Sequence, residues 1–428
     1  MNINQLHIFL DKYYKESKIL ADLSLICNDY NDFDINVDQE TIEQLVTEYN
    51  KIKQPKVSCA IITFNEEKRI KKCLESVRKR FDEVLVIDSG SRDNTIHIIN
   101  QYFPNTKVYI EPWENDFSLQ RNKAIQYATT DWIFFIDADN YIENTENDCI
   151  KRVAQIVSYL KIQGVVSPYI TEHDNSFSVD NRKMFKILDK ISFFGRVHEE
   201  PLNENKEIPL NIVANIHVYH DGYDPKKCNM TEKTIRNLKL VKQMIDEDSK
   251  NPKWQYFHAR AMYILNEDKQ IIKASLLRGM ELYKTWTDKR YYANLLSYLC
   301  RISLETQDFM NLKRYTALLN EQTNKCSDID YYNAVILFTT LQSKLKGLDN
   351  ILDQNENKYI EENYFSFINE SHDHIKTLHI QIKLMLGEYQ QILNLVNDIK
   401  TEEIKNHIKK EISILSLLKQ NSDIDKSK

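Results

Sequence analysis

Between Val57 and Leu160 the hydrophobic pattern changes period four times, from a short uncharged or β-branched run to an amphipathic segment and back. Val57–Thr63, Glu83–Ile87, Lys107–Ile110 and Trp132–Ile136 read as strands. Ile70–Val77, Thr95–Tyr102, Leu119–Tyr127 and Cys149–Leu160 read as the helices that follow them. Such alternation fits neither a helical bundle nor a β-sandwich. It predicts an α/β fold with a Rossmann-like, mostly parallel sheet and helices on both faces. Ligands of such sheets bind beyond the carboxyl ends of the strands, so the residues following each run are the functional candidates.

The flanks are helical. Leu6, Phe9, Leu10 and Tyr13 recur at helical spacing, as do Ile42, Leu45, Val46 and Tyr49, giving an N-terminal helical segment over 1–55 that Pro55 closes. The α/β domain covers 56–225, with further short strands at Gly164–Ile170 and Ile212–Val218. Residues 226–428 form an all-α, tetratricopeptide-like domain of helix pairs with a period of roughly 34 residues. The pairs fall from Asn251-Pro252-Lys253-Trp254 onward, then near Tyr291–Leu319, Tyr331–Leu352 and Ile375–Ile399. A stacked array of this kind is a binding or dimerising surface. With only 7 glycines and 8 prolines in 428 residues, tight turns are few and helices long.

Several function classes are excluded. No run approaches the roughly 18 apolar residues of a membrane span, and Met1–Glu16 lacks the apolar core of a secretory signal. The seven cysteines form no C-x-x-C pair, which fits reduced thiols in a cytoplasm better than a disulfide framework. A net charge of −6 with no sustained basic stripe argues against a nucleic-acid partner.

Asp137-Ala138-Asp139 follows the apolar strand Trp132–Ile136, where two carboxylates on one face of an extended segment can hold a divalent ion. D-x-D also occurs at Asp32/Asp34, Asp246/Asp248, Asp328/Asp330 and Asp423/Asp425, so the strand-end position is what singles this pair out. Thr63-Phe64-Asn65-Glu66-Glu67 and Asp88-Ser89-Gly90-Ser91-Arg92-Asp93 follow the first two strands. Asp88 can accept from a base or a ribose hydroxyl there, and helix amides can meet phosphate. Asn65 and Asp93 also read as helix caps, and Glu66 and Glu67 as residues favoured by a helix dipole. Arg121 has a planar fork suited to phosphate or carboxylate, or is a solvated surface charge. His198-Glu199-Glu200 and His217/His220 can supply metal ligands or a base. His217 and His220 are three apart, so on a strand only one of them reaches a given face.

Ile61-Ile62-Thr63-Phe64-Asn65-Glu66, Val86-Ile87-Asp88-Ser89-Gly90-Ser91, Arg121-Asn122 and Asp137-Ala138-Asp139, in this order, resemble the family 2 glycosyltransferases of the GT-A fold. Trp113-Glu114-Asn115-Asp116-Phe117-Ser118, Val166-Ser167-Pro168-Tyr169, Val197-His198-Glu199-Glu200-Pro201, Val218-Tyr219-His220-Asp221-Gly222-Tyr223 and the helical flanks are similar to the sublancin-type peptide S-glycosyltransferases of glycocin biosynthesis. The resemblance implies an inverting, metal-dependent transferase. Its donor is a UDP-sugar (UDP-glucose or UDP-N-acetylglucosamine), and its acceptor a cysteine thiol, or also a serine hydroxyl, of a bacteriocin precursor peptide. A lipid-linked or cell-surface glycan is the alternative acceptor. It places Thr63, Phe64, Asn65, Asp88, Arg121, Asp137 and Ala138 on the nucleotide-sugar. Asp139, with His220 or His198, takes Mg2+ or Mn2+. Glu199 is the base, Glu200 the next choice, and Asp137, the third catalytic candidate, lies nearer the ribose or the sugar. A homodimer through the C-terminal helical domain completes the expectation.

Overall fold

The computed structural model describes residues 2–29, 33, 42–220, 230–323, 326–362 and 364–424. Asp32/Asp34, Asp221, Gly222, Tyr223 and Asp425 of the motifs above lie outside them. The described residues form two compact units, Met1–Trp286 and Thr287–Lys428. Position 225/226, where the sequence pattern divides the chain, falls inside the first.

The alternating pattern becomes β1 (Val57–Thr63), α4 (Ile70–Val77), β2 (Glu83–Asp88), α5 (Thr95–Tyr102), β3 (Lys107–Ile110), α6 (Phe117–Tyr127), β4 (Trp132–Asp137) and α7 (Cys149–Tyr159). β1 and β4 are buried along nearly their whole length, as strands covered on both faces must be. The α4 residues Ile70, Cys73, Leu74 and Val77 are all buried, the face that their spacing predicts.

These strands run parallel in the order β3-β2-β1-β4. The fold is therefore the expected GT-A-like α/β layer. The other half of the sheet is mixed. β8 (Met184–Lys186) is antiparallel to β4 and to β6 (Val165–Glu172), which pairs in parallel with β11 (Asn211–His220). A short β5 (Asn140–Ile142), too brief to show a period, pairs antiparallel with β11 and aligns His220 with Asn140. That register carries His220 to the residue beside Asp139.

The N-terminal helices α1 (Ile3–Tyr13), α2 (Lys18–Leu23) and α3 (Ile42–Lys51) share the core beneath the sheet. Their anchor is Asp22, completely buried, which accepts from Tyr49 Oη at 2.7 Å and from Arg152 Nε on α7 at 2.6 Å. After β11 the first unit continues through α8 (Met230–Glu247), α9 (Lys253–Ile264) and α10 (Lys269–Leu282).

The second unit holds α11 (Tyr292–Glu305), α12 (Phe309–Gln322), α13 (Ser327–Glu361), α14 (Asp373–Leu386), α15 (Tyr389–Asn397) and α16 (Glu402–Ile424). The stretch read as a pair near Tyr331–Leu352 is the single helix α13. Its only glycine, Gly347, carries no positive φ, so nothing there breaks the helix.

Replacing Asp22 by Ala leaves the buried Tyr49 hydroxyl without its acceptor and removes the shorter of the two carboxylate contacts of Arg152, which keeps Glu146 at 2.9 Å. The expected cost is about 3 kcal/mol of stability, read as a lower denaturation midpoint for the unit 1–286 transition in urea.

Candidate active site

Beyond the carboxyl ends of β1, β2 and β4 lies a cleft of about 640 Å3. Its floor is acidic: Glu66, Asp137, Asp139 and Glu199 all line it. The hydrogen bonds differ sharply among the four. Glu66 spends both oxygens on Arg69, at 2.7 and 2.9 Å. Asp137 gives Oδ1 to Arg121 Nη2 at 3.0 Å and Oδ2 to Lys183 Nζ at 2.9 Å. Asp139 uses only Oδ2, facing His220 Nε2 at 3.3 Å and Arg69 Nη1 at 3.9 Å. Glu199 uses only Oε1, which accepts from Arg121 Nε at 2.6 Å. Among the described residues, Asp139 and Glu199 alone of the four keep an oxygen unspent.

Arg121 is the pivot. It is 7% exposed, and its guanidinium lies 5.4 Å from the ring centroids of both Phe135 and Phe193. Burial works against its charge, but Asp137 and Glu199 outweigh that and raise its pKa. Burial likewise pushes Asp137 up, yet Lys183 and Arg121 hold its carboxyl far below the usual carboxylate range. Asp137 is thus a fixed anion with both oxygens committed. Arg121 Nη1 is buried without a hydrogen-bond partner. Asn122, next to it in the motif, clamps the Phe193 backbone through N–H and C=O at 2.8 and 2.9 Å.

The loop carrying Glu199 is stapled to α8 and α9. Gly195 has φ 112°, and a Cβ there would lie 2.9 Å from Trp254 Cη2, so only glycine fits. Arg196 pairs with Glu247 at 2.8 Å, His198 stacks on Phe257 with centroids 3.8 Å apart, and Glu200 bonds Lys253 Nζ at 2.6 Å. Two sequence alternatives separate here. Glu199 faces the cleft, whereas Glu200 is tied to Lys253 and is not among the lining residues, because neighbours on an extended segment point to opposite sides. His198 is held against Phe257, and His220 is the histidine that meets Asp139.

His220 Nδ1 is bonded to Glu172 Oε2 at 2.8 Å. A carboxylate behind one ring nitrogen, with the other nitrogen beside a half-free carboxylate, is the donor set that a hard divalent ion takes. Burial lowers the His220 pKa, but Asp139 and Glu172 override it and raise it. The one three-residue group of metal-ligating type among the described residues is elsewhere: Asp349, Asp353 and His379 in the second unit. Lys383 Nζ already sits 3.0 Å from Asp349, making that group a partly buried ion network with Asp353 at its exposed edge.

The nucleotide candidates divide into those facing the cleft and those shaping it. Thr63, Phe64, Ser89 and Ala138 line it, and Thr63 Oγ1 is buried with no partner. Asp88 is 1% exposed. Its carboxylate accepts from Gly90 N, Ser91 N and Ser91 Oγ at 2.9, 2.7 and 2.6 Å, so it builds its own loop. Asn65, at φ 56°, accepts from Arg92 N at 2.8 Å and receives the Ser91 hydroxyl as its N–H acceptor, joining the two loops.

The sequence pattern did not reveal Glu66 as a cleft residue, nor Lys183 and Glu172 as the partners of Asp137 and His220. It also missed the wall from α8 and α9, including Lys233, Arg236, Phe257, Arg260 and Ile264. The i, i+3, i+4, i+7 spacing of Phe257, Arg260, Ala261 and Ile264 was the available signal.

Residues 58–213 match the family described as Glycosyl transferase family 2. The chain is similar to the SPbeta prophage-derived glycosyltransferase SunS of Bacillus subtilis and to glycosyltransferase SunS of Bacillus phage SPbeta. Each is 37% identical over 409 residues, covering 96% of both chains. Among solved structures, S. aureus TarS (residues 1–349) is similar at 17% identity and a TM-score of 0.31, covering 61% of this chain and 83% of that one. No helix among the described residues is long and apolar enough to cross a membrane.

His198 yields a pH prediction. Burial, with Arg260 and Lys253 nearby, pushes its pKa from 6.5 down to about 3. The unfolded chain therefore binds a proton that the folded one refuses as pH falls from 6.5 towards 3. Stability should drop by about 1 kcal/mol per pH unit in that window. His198→Asn, which tolerates the left-handed φ of 52°, should flatten this part of the slope in denaturation series run at several pH values. An unchanged slope would show that another group carries it.

Proposed function

The chain belongs to the family 2 glycosyltransferases and is of the SunS type, and from that premise we propose the following reaction. The protein is an inverting peptide S-glycosyltransferase that moves a sugar from UDP-glucose or UDP-N-acetylglucosamine to a cysteine thiol of a bacteriocin precursor peptide. Serine is the alternative nucleophile. The observation that supports this reading best is the pair of half-spent carboxylates, Asp139 and Glu199, facing one cleft.

Thr63 and Phe64 line the nucleotide half, and Asp88 and Asn65 hold its loops in shape. Asp139 and His220 fit a divalent ion, Mg2+ or Mn2+, which when bound supplies positive charge to the diphosphate. Glu199 offers its unspent oxygen as the base that receives the acceptor proton, held in place by Arg121. A thiol, with pKa near 8.5, makes a smaller demand on a carboxylate base than an alcohol does. Inversion needs only this one base and one protected leaving group, unlike glycoside hydrolysis with its paired carboxyls.

A helical precursor or a second copy is proposed for the C-terminal helices, in a cytoplasmic setting. Leu337, Phe338, Leu341, Leu348 and Ile351 stand exposed along α13, an apolar face suited to dimerisation.

Intact-mass analysis of precursor peptides incubated with each UDP-sugar and Mn2+ tests the reading. A hexose or N-acetylhexosamine increment on cysteine is expected. Asp139→Ala should remove turnover, a loss of at least about 1,000-fold, while the circular dichroism stays that of the wild type; retained activity overturns the metal assignment.

A further inference from the structure

The charges of the cleft do not close within the α/β layer. Four carboxylates face the space, and the cations of that layer are already used on them: Arg69 on Glu66, Arg121 on Asp137 and Glu199, Lys183 on Asp137. Before a divalent ion binds, a diphosphate brought to this floor meets four carboxylates balanced, among the described residues of that layer, by only three cations, Arg69, Arg121 and Lys183.

The opposite wall carries the counterpart. α8 and α9 contribute Lys233, Arg236 and Arg260, and both helices lie outside residues 58–213, which match the family. Arg236 lies over the Phe117 ring at 5.0 Å and bonds Asn237 Oδ1. Arg260 is different: among the described residues it makes no hydrogen bond or ion pair. It shares the cleft-facing stripe of α9 with Phe257, Ala261 and Ile264, and its field helps push the neighbouring His198 towards the neutral form. Lys233 is near enough to Glu66 to oppose the upward pull of burial on that carboxyl. A space of this volume is roughly 10 Å across, about one Debye length, so these charges are felt throughout it.

We propose that Arg260, seconded by Lys233, receives the diphosphate of the nucleotide-sugar and the charge that develops on it as the sugar departs. This rests on the donor reading above and extends it to a helix pair that the sequence pattern assigned to partner binding. In the step concerned, a sulfur lone pair forms the bond to the anomeric carbon and the thiol proton passes to Glu199. The bond from that carbon to the diphosphate oxygen breaks, and its electron pair stays on the oxygen. Arg260 stabilises the oxygen that gains the charge, which is where a fixed cation lowers a barrier most.

Titration calorimetry with UDP and with uridine, each in EDTA and again with Mn2+, tests this on wild type, Arg260→Ala, Arg260→Lys and Lys233→Ala. Arg260→Ala should weaken UDP at least about tenfold in both buffers, leave uridine binding unchanged and leave the KM for the precursor peptide unchanged. Arg260→Lys should recover most of the loss, and it keeps the test open should the alanine variant fold poorly. UDP affinity equal to wild type in both Arg260→Ala and Lys233→Ala overturns the proposal. An equal loss for uridine does so too, since that reports a deformed pocket. A rise in peptide KM alone also overturns it, by placing Arg260 on the acceptor. If the wild type binds no UDP in either buffer, the donor reading itself falls.

Discussion

Everything in the cleft depends on burying the Arg121 charge. A guanidinium between two phenylalanine rings cannot be left uncompensated, because stripping its water costs several kcal/mol. Asp137 and Glu199 provide the compensation, arriving from β4 and from the loop before β10 (Glu200–Leu202). The same interaction therefore fixes two parts of the active site relative to each other. It also decides what each carboxylate can do. Asp137, bonded a second time by Lys183, has a cation on each oxygen, while Glu199 keeps one oxygen without a partner among the described residues.

The scaffold around this pivot is built so that Glu199 has little freedom. From below, Asn122 clamps the Phe193 backbone; from the side, Trp254 leaves room only for glycine at 195, and Lys253 pulls Glu200 away. The positive φ of His198 turns the chain between these anchors. Strain in a left-handed residue persists only where neighbours over-determine it, and here the stack on Phe257 does so. On the metal side the equivalent constraint is register: the β5–β11 pairing places His220 beside Asp139, and Glu172 on β6 holds the far side of its ring.

Much of this was legible in the sequence because it obeys local rules. β1 and β3 occupy the predicted residues, α5 matches to the residue, and Asp139 stands out by its strand-end position; Glu199 and His220 enter through the family resemblance, since parity says only that His217 and His220 do not share a face. What was hidden depends on pairing between distant segments. Glu66 looked like an ordinary first-turn glutamate, and only the packing of Arg69 and the proximity of Asp139 make it part of the floor. Lys183 and Glu172 carry no motif at all; strand pairings outside the simple repeat bring them in, β8 antiparallel to β4 just after Lys183 and β6 parallel to β11 at Glu172. Asp88 has a second role that the motif does not announce: its carboxylate also holds its own turn together.

The division of labour along the chain follows from the same distinction. Hydrophobic period changes at about residue 226, and a reader of periods places a domain boundary there. Compactness ignores period. The helices that follow are held to the Glu199 loop by an ion pair, a ring stack and a lysine–glutamate bond, so α8 and α9 are a wall of the cleft. An amphipathic helix shows the same repeat whether its apolar stripe meets a sheet, another helix or a ligand, so its sequence cannot say which. What does distinguish α9 is an arginine set among apolar residues on its cleft-facing stripe, with no partner among the described residues, opposite a floor of carboxylates. Arg260 is only partly buried, so its charge can stay solvated until an anion enters the cleft, and that is the role proposed for it.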